Sequence, residues 1–246
     1  MLDAYRARAY LAAITQRASD VRARNAFQSL ATQLAAPGAS ILDFGCGPGI
    51  DAKVYVAHGF RVSAYDHDPM MCALAADRCS GEIKSGRLRL HGGDYRGFLT
   101  EPPLAAGSIG LVTANFAPFN LIVDLPELFA TLDRLLGPEG KVLVSVLSPY
   151  FLGDLKYRWW WQHLGALVRR GEYAVTGERG PIIRRRLATY ARAAVPYFRL
   201  RRLWRGSRAS NWLPLDQGLL PGPFDWLPMS SCRFMFLLFT RPHESA

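Results

Sequence analysis

Cysteine is scarce, with four in 246 residues, at positions 46, 72, 79 and 232. None forms a Cys-x-x-Cys pair or sits in a Cys/His cluster, which excludes a zinc site and a disulfide framework and makes a reducing, cytoplasmic compartment the expectation. Cys72 and Cys79 are seven apart and share one helix face, as packing residues do. Long apolar runs are missing too. Phe234 to Phe239 falls far short of the ~20 residues that a membrane helix needs. Leu11 to Ile14, set between arginines, is too short and interrupted for a signal peptide. No repeat recurs at a period of ~20–50 residues, so a solenoid is excluded. Charged residues make up only 20% and hydrophobic ones 50%, which excludes a disordered chain.

Acidic residues are few in the last two-fifths. Residues 1–150 hold 14 basic and 14 acidic side chains, whereas 151–246 hold 16 and 6, so the whole net charge of +10 lies late. Arginine supplies 26 of the 30 cations. Such a basic half attracts nucleic acid, anionic lipid or a small acidic ligand, or is simply a solvated surface. Tryptophan is absent before position 159, and all six fall between Trp159 and Trp226.

The ordered part reads as alternating helix and strand. Residues 3–35 are rich in Ala, Leu, Gln and Arg and predict a helix stopped by Pro37-Gly38. Strands are expected at 41–44, 61–65, 87–91, 109–114 and 141–147, with helices at 50–58 and 69–79. The clearest helix spans Asp124 to Leu136, with Asp124 and Glu127 in capping-box positions and leucines at the 3.6 period. After 150 the pattern loosens, with a helix expected over Arg184–Val195 and late strands over 198–205 and 232–240. Strands alternating with helices imply an α/β, doubly wound, mostly parallel sheet. No linker interrupts it. The expectation is a single domain over 1–246: a helical extension (1–36), a cofactor-binding half (37–150), and an acceptor-binding insertion with the last strands (151–246).

Gly45-Cys46-Gly47-Pro48-Gly49 follows a strand and opens a helix. Glycines there let backbone approach a ligand closely, and the helix start presents unpaired N–H groups. Asp66, ending the next strand, is placed to accept ribose hydroxyls beside the same crevice. Dinucleotide enzymes use G-x-G-x-x-G, but the spacing here is G-x-G-x-G, and Asp43 before it would oppose a pyrophosphate and suit a cationic ligand. The segment from Leu42 to Gly49 resembles the first motif of class I S-adenosylmethionine-dependent methyltransferases. The likeness extends through residues 20–150. Val62 to Met71 is similar to the second motif, Gly93-Asp94-Tyr95 to the third, and Asn115 to Asn120 to the fourth. Departures are Ile109-Gly110 where Phe-Asp is common, Asp68 where serine is common, and Glu139-Gly140 in a turn that is usually Gly-Gly. None removes a cofactor contact.

The resemblance implies a Rossmann-like, seven-stranded fold and S-adenosylmethionine as cofactor. The residues it implies for the cofactor are Asp43, Gly45, Cys46, Gly47, Gly49, Asp66, His67, Met71, Asp94, Tyr95, Asn115 and Phe116, with no metal. A hydroxyl or protonated amine acceptor requires a base; the catalytic candidates are Asn115, Tyr150 and His163. Tyr150, Phe151, Trp159, Trp160, Trp161, Tyr190 and Tyr197 offer apolar faces with polar tips. Arg184, Arg185, Arg186, Arg201 and Arg202 offer a positive field. The expected acceptor is therefore a small, largely apolar metabolite that is anionic or carrier-linked. Core packing or a membrane surface is the competing use of the tryptophans, so peripheral membrane contact stays open. Nucleic acid is not the expected partner, since no binding module or Asn-Pro-Pro-Tyr-like tetrad is present. A nucleic-acid methyltransferase, or a non-catalytic binding protein using the basic region, is the alternative.

Overall fold

The computed structural model describes residues 11, 15–177, 180–206, 212–216 and 233–242, with backbone alone at 152, 202–206 and 212–216. The readings at residues 3–10 and at Arg202, Trp204, Trp212, Trp226 and Cys232 lie outside the described side chains. The chain divides into two compact units, residues 1–115 with 130–143 and residues 116–129 with 144–246.

The first unit opens with α1 (Ala18–Leu34), β1 (Ser40–Phe44), α2 (Ile50–Ala57), β2 (Arg61–Asp66) and α3 (Pro69–Arg78). A short α4 (Ser80–Lys84), β3 (Leu88–Gly92), α5 (Tyr95–Thr100) and β4 (Ile109–Ala114) follow. Its strands run in the order β3-β2-β1-β4-β5, where β5 is Leu136–Leu147 and crosses the division. β1 pairs in parallel with β2 and β4, and β2 with β3. Ile41, Leu42, Leu111 and Val112 are fully buried, as expected of parallel strands covered on both faces. Side-chain caps set the helix starts. Asp68 accepts the N–H of Met70 at 2.9 Å with Pro69 in the first helical position, and Asp94 accepts that of Gly97 at 2.8 Å.

The second unit holds α7 (Arg158–Arg170), β6 (Glu172–Gly177), β7 (Gly180–Arg185), α8 (Leu187–Ala194), β8 (Arg199–Gly206), β9 (Trp212–Asp216) and β10 (Phe234–Thr240). β10, β8 and β9 continue the hydrogen-bonded order after β5, each antiparallel to the next, while β6 and β7 form a separate antiparallel hairpin. Seven strands make the doubly wound, mostly parallel sheet that the sequence implies, and β9 is an eighth at its edge. α6 (Leu125–Leu135), whose residues divide between the two units at position 130, starts at Asp124, whose Oδ1 accepts the N–H of Glu127 at 3.0 Å.

One expectation needs correction. The helix expected over Arg184–Val195 is instead the end of β7 followed by α8 from Leu187. Cross-strand pairing of Glu172 with Arg185 and Tyr173 with Arg184 claims those arginines, and tertiary context overrides their helix propensity. The hairpin and α7 were not legible, because consecutive tryptophans hide the period; only Trp160 and Leu167, seven apart, are fully inside α7's contact face. The adjacent tryptophans differ in burial. Trp160 is buried and donates its indole N–H to the carbonyl of Pro149 at 2.8 Å, whereas Trp161 is 57% exposed.

That contrast predicts a stability difference. Trp160→Ala removes a buried indole and should cost about 3–5 kcal/mol, as large-to-small core changes do. Trp161→Ala should cost less than about 1 kcal/mol in denaturant unfolding, because its ring is already largely in water. Equal losses would show that the tryptophans form one packed unit.

Candidate active site

The glycine loop is built by three positive dihedrals, φ +70° at Gly45, +54° at Gly47 and +73° at Gly49. The loop is pinned to β2 by the N–H groups of Gly45 and Cys46, which both donate to the carbonyl of Tyr65 at 2.8 and 3.0 Å. A side chain at Gly49 would meet Cys79 Sγ at 2.9 Å, so glycine is required there by packing as well as by dihedral. At Gly47 nothing lies within 4 Å of the missing Cβ, and the loop faces open space.

Asp66 closes the loop from the other side. Its Oδ2 accepts the N–H of Gly47 at 2.8 Å and its Oδ1 that of Asp68 at 2.9 Å. Burial raises its pKa, and those two N–H donors oppose the rise. Its carboxylate is thus oriented against the loop. His67 is exposed beside it, with Nδ1 3.7 Å from Asp66 Oδ1.

Asp43 lies deeper, 1% exposed. Thr113 Oγ1 donates to its Oδ1 at 3.2 Å, but Oδ2 has no hydrogen-bond partner. Burial, followed by the charge of Asp51, raises its pKa well above the ordinary carboxylate range. A buried carboxyl oxygen without a partner is costly, and a cationic or N–H-bearing ligand would satisfy it. Asn115, the residue after β4, donates from Nδ2 to Asp51 Oδ2 at 3.0 Å, and Asp51 also accepts from Gln28 at 2.6 Å and Arg24 at 3.2 Å.

The remaining candidates divide as follows. Met71 is fully buried and packs with Met70 and Leu74, so it forms floor rather than accessible wall. Asp94 is exposed and spends Oδ1 on capping α5, while Tyr95 packs edge-on to Phe44 with centroids 6.4 Å apart. Cys46 is buried, and burial and then Asp43 raise its thiol pKa, so it is a packing group in the loop. The first unit therefore gathers Asp43, Gly45, Cys46, Gly47, Gly49, Asp66, His67, Met71, Asp94, Tyr95 and Asn115, whereas Phe116, Tyr150 and His163 belong to the second. There, Phe116 packs against Phe234 and, with Ala117, adopts a positive φ, a strained pair for residues with a Cβ. His163 Nδ1 donates to the carbonyl of Trp159 at 2.7 Å. Burial raises the Tyr150 hydroxyl pKa, and Arg186 opposes this. Sequence reasoning missed Asp51, Arg24 and Gln28; a carboxylate two residues past Gly49 was the available signal.

The chain matches the family model described as a methyltransferase domain over residues 4–193. It belongs to the methyltransferase-domain family. The match agrees with the class I S-adenosylmethionine-dependent resemblance carried by the motifs. Among curated relatives, the chain is 33% identical to a malonyl-[acyl-carrier protein] O-methyltransferase of Methylovorus sp. (strain MP688) over 121 residues, 48% of this chain and 40% of that one. It is 28% identical to the enzyme of that name from Serratia marcescens over 123 residues, 50% and 44% of the two chains. The matched stretch thus spans less than half the length of those relatives. In fold, it is similar to an S-adenosylmethionine-dependent methyltransferase from Mesorhizobium loti (TM-score 0.63, 17% identity, 93% of this chain and 100% of that one). It is also similar to geranyl diphosphate C-methyltransferase from Streptomyces coelicolor (0.59, 15%, 90% and 80%).

Asp43 generates a pH prediction. A carboxyl whose pKa is raised by folding holds its proton in the native state after the unfolded chain has released it. Native stability is therefore lost as pH rises above about 4, the unfolded value. Asp43→Asn should raise the thermal midpoint at pH 7 over that of the native sequence, with the gap closing as pH falls toward about 4. A gap of the same size at both pH values would place the cost elsewhere.

Proposed function

We propose that the protein transfers a methyl group from S-adenosylmethionine to an oxygen of a carboxylate-bearing, largely apolar small metabolite presented on a carrier. The observation that carries this reading is the pair of curated relatives, both named for O-methylation of a carrier-linked malonyl group. The loop chemistry supports the cofactor. Asp66 is held ready to accept two hydroxyls, Gly47 opens a backbone approach, and the partnerless Asp43 oxygen suits a positively charged ligand. Bound there, the sulfonium supplies an activated methyl and a neutral leaving group.

The chain's own work is to bind and orient. A carboxylate oxygen forms the new O–C bond as the C–S bond breaks, and the bonding pair leaves with sulfur. No proton is displaced, so neither Tyr150 nor His163 is required as a base, and alignment supplies catalysis. Asn115 is a positioning residue, because its amide is already bound to Asp51. The basic region also weakens the nucleic-acid reading. Arg185 donates to Glu172 and to the carbonyls of Phe119, Ile122 and Val123, and Arg184 is paired with Asp154. These two arginines are 2% and 8% exposed and do not form a surface patch for phosphates. Among the described residues no helix is long and apolar enough to cross a membrane, and no acidic, cysteine and histidine group could hold a metal. A cytoplasmic site of action goes with this reading.

Two measurements test it. Calorimetry with S-adenosylhomocysteine should show binding that Asp66→Ala weakens by at least about tenfold, a loss of about 1.4 kcal/mol, since the hydroxyl acceptor is gone. With methyl-labelled cofactor and a malonyl-carrier acceptor, the label should enter the acceptor and be released as methanol by mild alkali, as an ester methyl is. Alkali-stable label, or label only in RNA, would overturn the proposal.

A further inference from the structure

The β6–β7 hairpin sets Tyr173 directly opposite Arg184. Directly opposed residues of an antiparallel pair project from one face of the hairpin with their Cβ atoms about 5 Å apart. Glu172 and Arg185 are the next pair and so take the other face, where they bond to each other at 2.8 Å. The two faces are therefore used differently. On the Arg185 face, all three guanidinium nitrogens of Arg185 are engaged with the protein. On the Tyr173 face the Tyr173 hydroxyl and one edge of Arg184 are not.

Tyr173 is 4% exposed, and its hydroxyl has no hydrogen-bond partner. Burial pushes its pKa up to about 12, with Arg184, Asp154 and Tyr150 close enough to act on it electrostatically. It is therefore a neutral O–H donor across the physiological range. Arg184, 8% exposed, uses Nη1 alone for its protein bonds, to Asp154 Oδ2 at 2.6 Å and the carbonyl of Ser148 at 2.8 Å. Among the described residues its Nε and Nη2 have no hydrogen-bond partner. That leaves one edge of a planar guanidinium unspent, the edge that binds a carboxylate in two-point fashion. Trp159 walls the group: the Arg184 guanidinium carbon lies 5.6 Å from its ring and Tyr173 6.3 Å away, centroid to centroid. The His163 ring lies 5.2 Å from that of Tyr173, tilted by 35°. Asp154 holds the cation in place, and Arg186 adds a second positive charge near Tyr150. A native fold rarely leaves a buried hydroxyl without a partner, and here it lies across the hairpin from the unused edge of a guanidinium, so that one ligand can complete both.

We infer that Tyr173 and the free edge of Arg184 form a carboxylate subsite against Trp159, which recognises the anionic end of the acceptor. The inference rests on the proposed acceptor class and adds the residues that select it. The subsite distinguishes a carboxylate-bearing acyl thioester from its neutral counterpart, because a neutral methyl group there would leave both donors unpaired.

The test is equilibrium binding, in the presence of S-adenosylhomocysteine, of two probes: malonyl-N-acetylcysteamine and acetyl-N-acetylcysteamine thioesters. The native sequence should bind the malonyl probe at least about tenfold more tightly, in line with hydrogen bonds to a charged group. Tyr173→Phe should abolish most of that preference while leaving S-adenosylhomocysteine affinity and the unfolding midpoint unchanged, since the lost hydroxyl has no protein partner. Arg184→Lys, which keeps a cation for Asp154 but lacks the free edge, should lose the preference as well. Equal binding of the two probes by the native sequence, or an undiminished preference in both variants, overturns the subsite. Failure of the functional reading looks different: tight, Tyr173-dependent binding of the malonyl probe without methyl transfer to it would sink the proposed activity and leave the subsite standing.

Discussion

One buried carboxylate organises the first unit. Asp51 sits in the first turn of α2, immediately after the glycine loop, and accepts hydrogen bonds from Arg24 and Gln28 of α1 and from Asn115, the residue after β4. An ionised group 6% exposed survives only when its lone pairs are filled, and here they are. The consequence is geometric. The N-terminal helix, the helix after the loop and the strand leading to Asn115 cannot shift independently without unpairing a charge. The loop between Gly45 and Gly49 is therefore held from its helix side by Asp51 and from its strand side by the Gly45, Cys46 and Gly47 N–H bonds.

The same charge sets the state of its neighbour. Asp43 and Asp51 share one buried region, and the negative charge of Asp51 adds to burial in favouring the neutral form of Asp43. A protein selected only for stability would place an amide or a leucine at Asp43. A buried carboxyl with a partnerless oxygen costs stability, a pattern typical of functional sites.

The second unit solves a different problem with arginine. Arg185 donates to three carbonyls in the segment 119–123 and to Glu172, while Asn120 donates to the carbonyl of Ile183 at 2.6 Å and accepts from the N–H of Leu147 at 2.9 Å. Irregular backbone can be buried only if its polar groups find partners, and these long side chains bring partners to it. The loop that begins with the strained Phe116-Ala117 pair is thereby anchored to the hairpin, and the hairpin face bearing Tyr173 and Arg184 is fixed by the opposite one.

By itself the sequence determined the five strands through residue 147 and the longer helices among them, the glycine loop, Asp66 as its acidic partner and the cap of α6, because each depends on local rules: period, dihedral preference and capping chemistry; the short α4 and α5 were not read. Asp43 was legible as unusual through its spacing from Gly45, but its missing partner was not. After residue 150 the local rules lost their force. Arg184 and Arg185 read as positive field and as the start of a helix, yet the structure buries both in a hairpin; the three adjacent tryptophans read either as acceptor-facing apolar faces or as core, and α7 turns Trp160 inward and leaves Trp161 in water. Pairing register and helix phase decided those outcomes. Both are set by contacts between segments distant in sequence, which residue type and spacing along one segment do not encode. Only the tertiary structure could place Tyr173 across from Arg184 and leave their donors without partners.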